Sequence, residues 1–340
     1  MTLTGNCQTT AMGILPHTSL EEAWQIALSV DIPFWPQLPR LSFWEDMYVQ
    51  ASENFPGITP HPPEGLTFDI DLFYQQLETY IQNWENPDYF RISPVYSQVY
   101  HEFLKMDLSR YPAVRGQSIG PVSFGLKIAD TTKAPIIYHD GVREILFDFF
   151  ARKIQVQYAD LREKNKQAFV WIDEPGLELI FMAFTGYPSE RALGDYRQFL
   201  AQLPAPKGVH LCANPDWAFL LNLDLDILSV DALQWGRIFT RYTDLVKDFL
   251  TRGGIVSWGI TPTLTEEMAG YDIEALVARL EELWDYLDAN GFPKEQIARQ
   301  AWLAPARCCL INADGGRTVA KSFAWLHEVS RRLREKYHLE

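Results

Sequence analysis

The chain has 340 residues, of which 47% are hydrophobic and 14% aromatic, and 44 Asp and Glu against 30 Lys and Arg leave a net charge of −14. That charge excludes the basic surface a nucleic-acid binder needs and opposes adhesion to an anionic membrane. No run approaches the roughly 18 uninterrupted apolar residues of a spanning helix. The N-terminal MTLTGNCQTTAMG has neither the basic nor the apolar stretch of a signal peptide, so a cytoplasmic protein is expected.

Apolar, β-branched runs alternate with helical patterns along the chain. The expected strands are residues 11–15 (AMGIL), 31–37 (DIPFWPQ), 118–126 (SIGPVSFGL), 168–173 (AFVWID), 208–212 (GVHLC), 226–231 (DILSVD), 254–260 (GIVSWGI) and 300–305 (QAWLAP). A helix over 19–29 opens on a capping box, Ser19 with Glu22. Helical spacing recurs over 141–161, 232–250, 272–289 and 318–336. Between the second and third strands, residues 56–116 form an insertion rich in Pro and aromatics, expected to carry two helices over one end. Eight strands alternating with helices predict a single (β/α)8 TIM barrel over residues 1–340. An open doubly wound sheet would carry a Gly-rich phosphate loop after its first strand, and the sequence has none.

The chemically useful residues fall at the carboxyl ends of these strands, the face on which barrel enzymes build their sites. Gly13 to His17 follow strand one, Gln37 ends strand two, Asp173 and Glu174 follow strand four, and His210 and Cys212 end strand five. Asp231 ends strand six, Trp258 lies near the end of strand seven, and Cys308 and Cys309 follow strand eight. An H-x-C step puts imidazole and thiol on one face of a strand. Both are zinc ligands, and four cysteines in a long intracellular chain point to metal or catalysis rather than disulfides. Zinc bound by His210, Cys212 and one of the paired cysteines, with Asp231 as an exchangeable fourth ligand, is the sharper reading. Each residue also has a plainer one. Cys near a strand end packs as a small hydrophobe. Asp231 suits the N-cap of the following helix. His17 and His139 read as ordinary histidines.

The motifs, in order, are GILPH at 13–17, GPV at 120–122, IDEP at 172–175, HLC at 210–212, LDLDILSVD at 223–231, SWGITPT at 257–263 and PARCCL at 305–310. With this order and spacing the chain resembles the C-terminal catalytic barrel of cobalamin-independent methionine synthase, in the superfamily that includes uroporphyrinogen decarboxylase. The resemblance implies a zinc held by His210, Cys212, Asp231 at a position usually glutamate, and Cys308. Cys309 stays open as the alternative, because the run to it is one residue longer than usual. It also implies homocysteine as substrate, its amine on Asp173 and its carboxylate at the loop around Gly13. Ile14 stands where the family has Ser and Gln37 where it has Glu, and both changes remove contacts to a homocysteine zwitterion.

The family's folate donor needs a second barrel, so a methylated corrinoid, on a partner protein, is the expected donor here. Trp258 and the aromatics of the insertion (Trp84, Tyr89, Phe90, Tyr96, Tyr100) are the residues placed to line the mouth or meet it. The alternatives are a methylcorrinoid:coenzyme M type of thiol methyltransferase and a metal-free tetrapyrrole decarboxylase, for which Arg40 and Arg307 are the main basic candidates. A third is a non-enzymatic partner protein with structural zinc.

Overall fold

The computed structural model describes residues 3–182, 186–309 and 312–339. Its main sheet holds β1 (Gln8–Thr9), β4 (Arg115–Ile119), β5 (Phe169–Asp173), β6 (Lys207–Leu211), β7 (Ile227–Asp231), β8 (Ile255–Thr261) and β9 (Ala301–Pro305). These seven strands run parallel in the order β1-β9-β8-β7-β6-β5-β4. A separate antiparallel hairpin pairs β2 (Ile58–His61) with β3 (Gly65–Phe68).

The sheet is curled. Phe169 on β5 stacks on Trp302 on β9 with centroids 5.3 Å apart, although three strands separate them in the sheet. The buried Arg115 guanidinium lies 4.7 Å from the Trp171 ring and 5.1 Å from the Phe34 ring. Side chains therefore fill the interior, as in a TIM-type barrel. The predicted closed, eight-stranded barrel is not formed.

Residues 31–37 make no ladder. They touch one edge through Phe34–Arg115 and the other through Ile14–Gln37 as isolated bridges. Single bonds run from Arg115 N to Pro33 O and from Ile32 N to Thr9 O, and the Ile14–Gln37 bridge has two, Gln37 N to Gly13 O and Leu15 N to Gln37 O. Pro33 and Pro36 explain this, since each removes a backbone donor that a ladder needs.

Other boundaries shift for local reasons. The predicted first strand, 11–15, is replaced by the shorter β1 upstream of it. The third strand stops at Ile119, and Pro121 opens the helix Pro121–Lys127, its missing N–H harmless in the first turn. The helix expected over 232–250 is two, Ala232–Phe239 and Thr243–Thr251. At the break Thr243 Oγ1 donates to Thr240 O, a local bond that competes with the helix.

The insertion holds the hairpin and the helices Ile70–Gln82, Pro87–Phe90 and Gln98–Phe103. Its aromatics pack sideways. Phe90 meets Phe149 of the helix Asp140–Arg162 at 5.5 Å, and Tyr100 meets Trp35 at 5.0 Å. Tyr89 packs on Phe90, and Trp84 Nε1 donates to Asp148. Tyr96 packs on Trp44. No helix among the described residues is long and apolar enough to cross a membrane.

Candidate metal and thiol site

β5 and β6 pair Asp173 with His210, and β6 and β7 pair His210 with Ser229. Strand alternation then aims Trp171, Asp173, His210, Ser229 and Asp231 at the interior. The His210 ring lies 5.8 Å from Trp171, and its Nδ1 is 2.9 Å from Ser229 Oγ. Its Nε2 is buried with no hydrogen-bond partner. Burial, aided by the Arg115 charge, pushes the imidazole down to about 3, so the ring is neutral. If Ser229 accepts from Nδ1–H, a bare lone pair is left on Nε2, the state a metal ligand requires.

Asp231 is fully buried at the end of β7. Its Oδ1 accepts from Gln234 N at 2.9 Å, which caps the helix Ala232–Phe239. The N-cap reading of this residue therefore holds. Its Oδ2 has no hydrogen-bond partner and lies 3.5 Å from Arg307 Nε. Arg307 meanwhile donates through Nη2 to both Glu267 oxygens at 2.5 and 2.6 Å. Burial raises Asp231 to about 6, with the Gln234 N–H and Arg307 opposing it.

Cys212 follows β6 and is half-buried. Burial pushes its thiol up, and the charges of Asp173, Cys308 and Asp231 push it further. Of the vicinal pair, Cys308 is the one whose charge Cys212 senses. Cys309 is the buried one of the two. It is 1% exposed within the hydrophobic core, and its N–H donates to Ile14 O at 3.2 Å. Leu310, the last residue of the PARCCL motif, lies outside the described residues.

Asp173 Oδ1 is likewise buried without a partner, and burial raises this carboxyl to about 7 against the pull of Arg115. Its neighbour Glu174 has a structural task. It accepts from Val122 N, Ser123 N at 2.8 Å and Ser123 Oγ at 2.6 Å, clamping the helix Pro121–Lys127.

Gly13 and Gln37 are sealed. Gly13 N donates to Gln117 Oε1 at 2.8 Å, and Gln117 Nε2 donates to Gln37 Oε1 at 2.8 Å. Gln37 Nε2 donates on to Gln50, and Gln50 to the buried Glu45. Trp258 faces the helix layer, packed on Phe239 at 5.8 Å and Trp284 at 6.2 Å, so it does not line the mouth. Trp258 lies in β8, where the register pairs Val230 with it, and its neighbours Ser257 and Gly259 take the other face.

The sequence reading missed Gln117, Arg115 and Tyr48. The alternation R-x-Q at 115–117 was the available signal for the first two, hidden because 116 was taken as the end of the insertion. Tyr48 carries no sequence signal. Its phenol is pushed up by burial first, then by the charges of Asp173, Glu174, Asp46 and Cys212.

Among the described residues, no three His, Cys, Asp or Glu side chains stand ready as a ligand shell. The donor chemistry nevertheless fits zinc. A neutral imidazole nitrogen and a carboxylate oxygen are buried without hydrogen-bond partners. Cys212 senses the charge of Cys308, and N, O and S are the donor types zinc takes. A decarboxylase fits less well. Arg40 donates to Asn312 O at 2.6 Å, and Arg307 is held by Glu267 and Asp231.

No protein-family description and no curated protein matches the sequence. Solved structures do. A methyltransferase from Methanosarcina mazei superposes over 99% of this chain and 95% of its own, with a TM-score of 0.57 and 10% identity. The fold resembles that of a methyltransferase. A B12-independent methionine synthase from Shewanella sp. W3-18-1, in complex with selenomethionine, matches 66% of this chain with a TM-score of 0.45 and 12% identity. The match covers 63% of that chain. At 10% identity the likeness to the Methanosarcina mazei structure is one of fold alone.

Proposed function

We propose that the protein is a zinc-dependent methyltransferase that passes a methyl group from a methylated corrinoid, carried by a partner protein, to the thiol of homocysteine, giving methionine. One observation supports this reading above the others. His210 Nε2 and Asp231 Oδ2 are buried without hydrogen-bond partners at the same strand ends as Cys212 and Cys308. Buried polar atoms without partners are costly, about 1–3 kcal/mol each, and persist where a ligand satisfies them.

His210, Cys212, Cys308 and Asp231 are the residues that would hold zinc, and a bound zinc would favour the thiolate form of the substrate. By accepting from Nδ1–H, Ser229 Oγ would hold His210 in the tautomer that leaves Nε2 free for the metal. Asp231 is shared between its helix cap and Arg307, so of the four it is the ligand most readily exchanged for a substrate thiol. Asp173 Oδ1, raised to about 7, is suited to accept the thiol proton near neutral pH. Transfer forms the S–C bond as the methyl–cobalt bond breaks, with the electron pair remaining on cobalt.

The test is methyl transfer from methylcobalamin to L-homocysteine. Cys212→Ser and Cys308→Ser should each lower the rate at least about 100-fold, the range seen on loss of a key electrostatic group. Cys309→Ser should retain most of it. Full activity in Cys212→Ser contradicts the mechanism, and activity lost only in Cys309→Ser reassigns the ligand.

A further inference from the structure

Asp231 Oδ2 and Arg307 Nε face each other across 3.5 Å, and neither has a hydrogen-bond partner among the described residues. The two charges attract but do not close. The rest of the guanidinium is engaged elsewhere. Its Nη2 donates to both Glu267 oxygens at 2.5 and 2.6 Å, and its Nη1 donates to Gln234 Oε1 at 3.4 Å. The three charged groups stand at the ends of neighbouring strands. Asp231 ends β7, Glu267 lies in the helix Thr265–Met268 after β8, and Arg307 follows β9.

Both carboxylates are anchored. Asp231 is fully buried and pinned through Oδ1 by Gln234 N at 2.9 Å. Thr265 N and Oγ1 each donate to Asn312 Oδ1 at 3.2 Å, which ties down the helix that carries Glu267. The long arginine side chain is the member with room to shift between them, and it is 21% exposed. Its planar fork serves one carboxylate with two bonds, and here that carboxylate is Glu267. A guanidinium turned fully onto Asp231 would place the chain's own cation at Oδ2, and its charge would oppose a second cation at the same oxygen.

We propose that Arg307 and Glu267 form a charge switch that governs Asp231. Glu267 holds the guanidinium off Oδ2. Released from Glu267, the guanidinium closes the 3.5 Å gap and competes with a divalent cation for that oxygen. The inference deepens the function proposed above and rests on its placing of Asp231 among the residues that would hold zinc. Arg307 and Glu267 are positioning residues in it, since neither is among those four.

The test is the zinc affinity of the full chain, read by competition with a chromogenic chelator at fixed pH and ionic strength. Glu267→Ala should weaken zinc binding about tenfold, the effect of a guanidinium that occupies Asp231 in about nine molecules of ten. The same substitution made in Arg307→Met should change the affinity little, because no guanidinium remains to close. Arg307→Met alone should bind zinc at least as tightly as the wild type. Equal weakening by Glu267→Ala in both backgrounds overturns the proposal, since Glu267 then acts only through its own charge. Wild-type affinity in Glu267→Ala overturns it too. The two readings fail separately. Zinc bound by the wild type with an affinity indifferent to Glu267 removes the switch alone. Zinc bound by Arg307→Met and not by the wild type keeps the competition and removes the wild type as a zinc enzyme. No zinc in any of these proteins removes both.

Discussion

Gln117 joins groups from three parts of the chain. Its Oε1 accepts from Gly13 N and from Arg115 Nη1 at 3.0 Å, and its Nε2 donates to Gln37 Oε1 and Trp35 O. A buried group left without its partner costs about 1–3 kcal/mol, so Gln117→Leu should destabilise the fold by about 3 kcal/mol or more, measured by urea denaturation. A loss below about 1 kcal/mol would show that these bonds are not what holds the gap in the sheet. Gly13 and Gln37 were legible as residues at strand ends. What they touch was not, because the contact depends on register across non-adjacent segments. The same applies to Cys308 and Cys309. Adjacent cysteines are equivalent in sequence, and only the folded chain after β9 leaves Cys308 half-buried within electrostatic reach of Cys212 and buries Cys309 beside Ile14.

At the scale of elements, β5 to β9 were read within a residue or so of their ends, because fully buried parallel strands are continuous apolar runs. Ser19, Asp231 and Asp272 stand as N-caps, as their residue types favour. Segments rich in Pro and aromatics were not legible, since hydrophobicity without a period fits strand, helix and loop alike. The ends of the strands carry the site, and they carry its pH dependence. Burial at the end of β5 raises Asp173 from the usual carboxyl range near 4 to about 7. The folded state therefore prefers the neutral acid. Stability from this group is full below about pH 4 and falls as pH rises through about 7. Asp173→Asn, which cannot ionise, should melt at the same temperature as the metal-free wild type near pH 4.5 and several degrees higher at pH 8.5, read by thermal denaturation. Equal melting at both values would mean that Asp173 ionises freely in the fold.

For the whole molecule, the curled sheet of seven strands, with residues 31–37 bridging its edges, brings residues distant in sequence to one mouth. Cys212 senses the charges of Asp173, Cys308 and Asp231 there. Each of the two carboxyls is raised by burial, and the Cys212 thiol is disfavoured as an anion. Groups that would be anionic, held close and dry, are the setting in which a divalent cation adds most. Arg307 supplies part of that positive charge to Asp231. The α/β class and the curled parallel sheet were legible from the alternation of strands and helices, and the strand ends were legible as the place where His210, Cys212 and Asp231 stand. The incomplete closure, and the absence of a ready ligand shell among the described residues, follow from side-chain and proline geometry that periodicity does not encode. The measurement that bears most directly on the central claim is zinc per chain by elemental mass spectrometry, on natively purified wild type and Cys212→Ser. About one equivalent in the wild type and almost none in the variant is the predicted result. A wild type without zinc even after reconstitution under reducing conditions, or a variant that keeps its zinc, would contradict it.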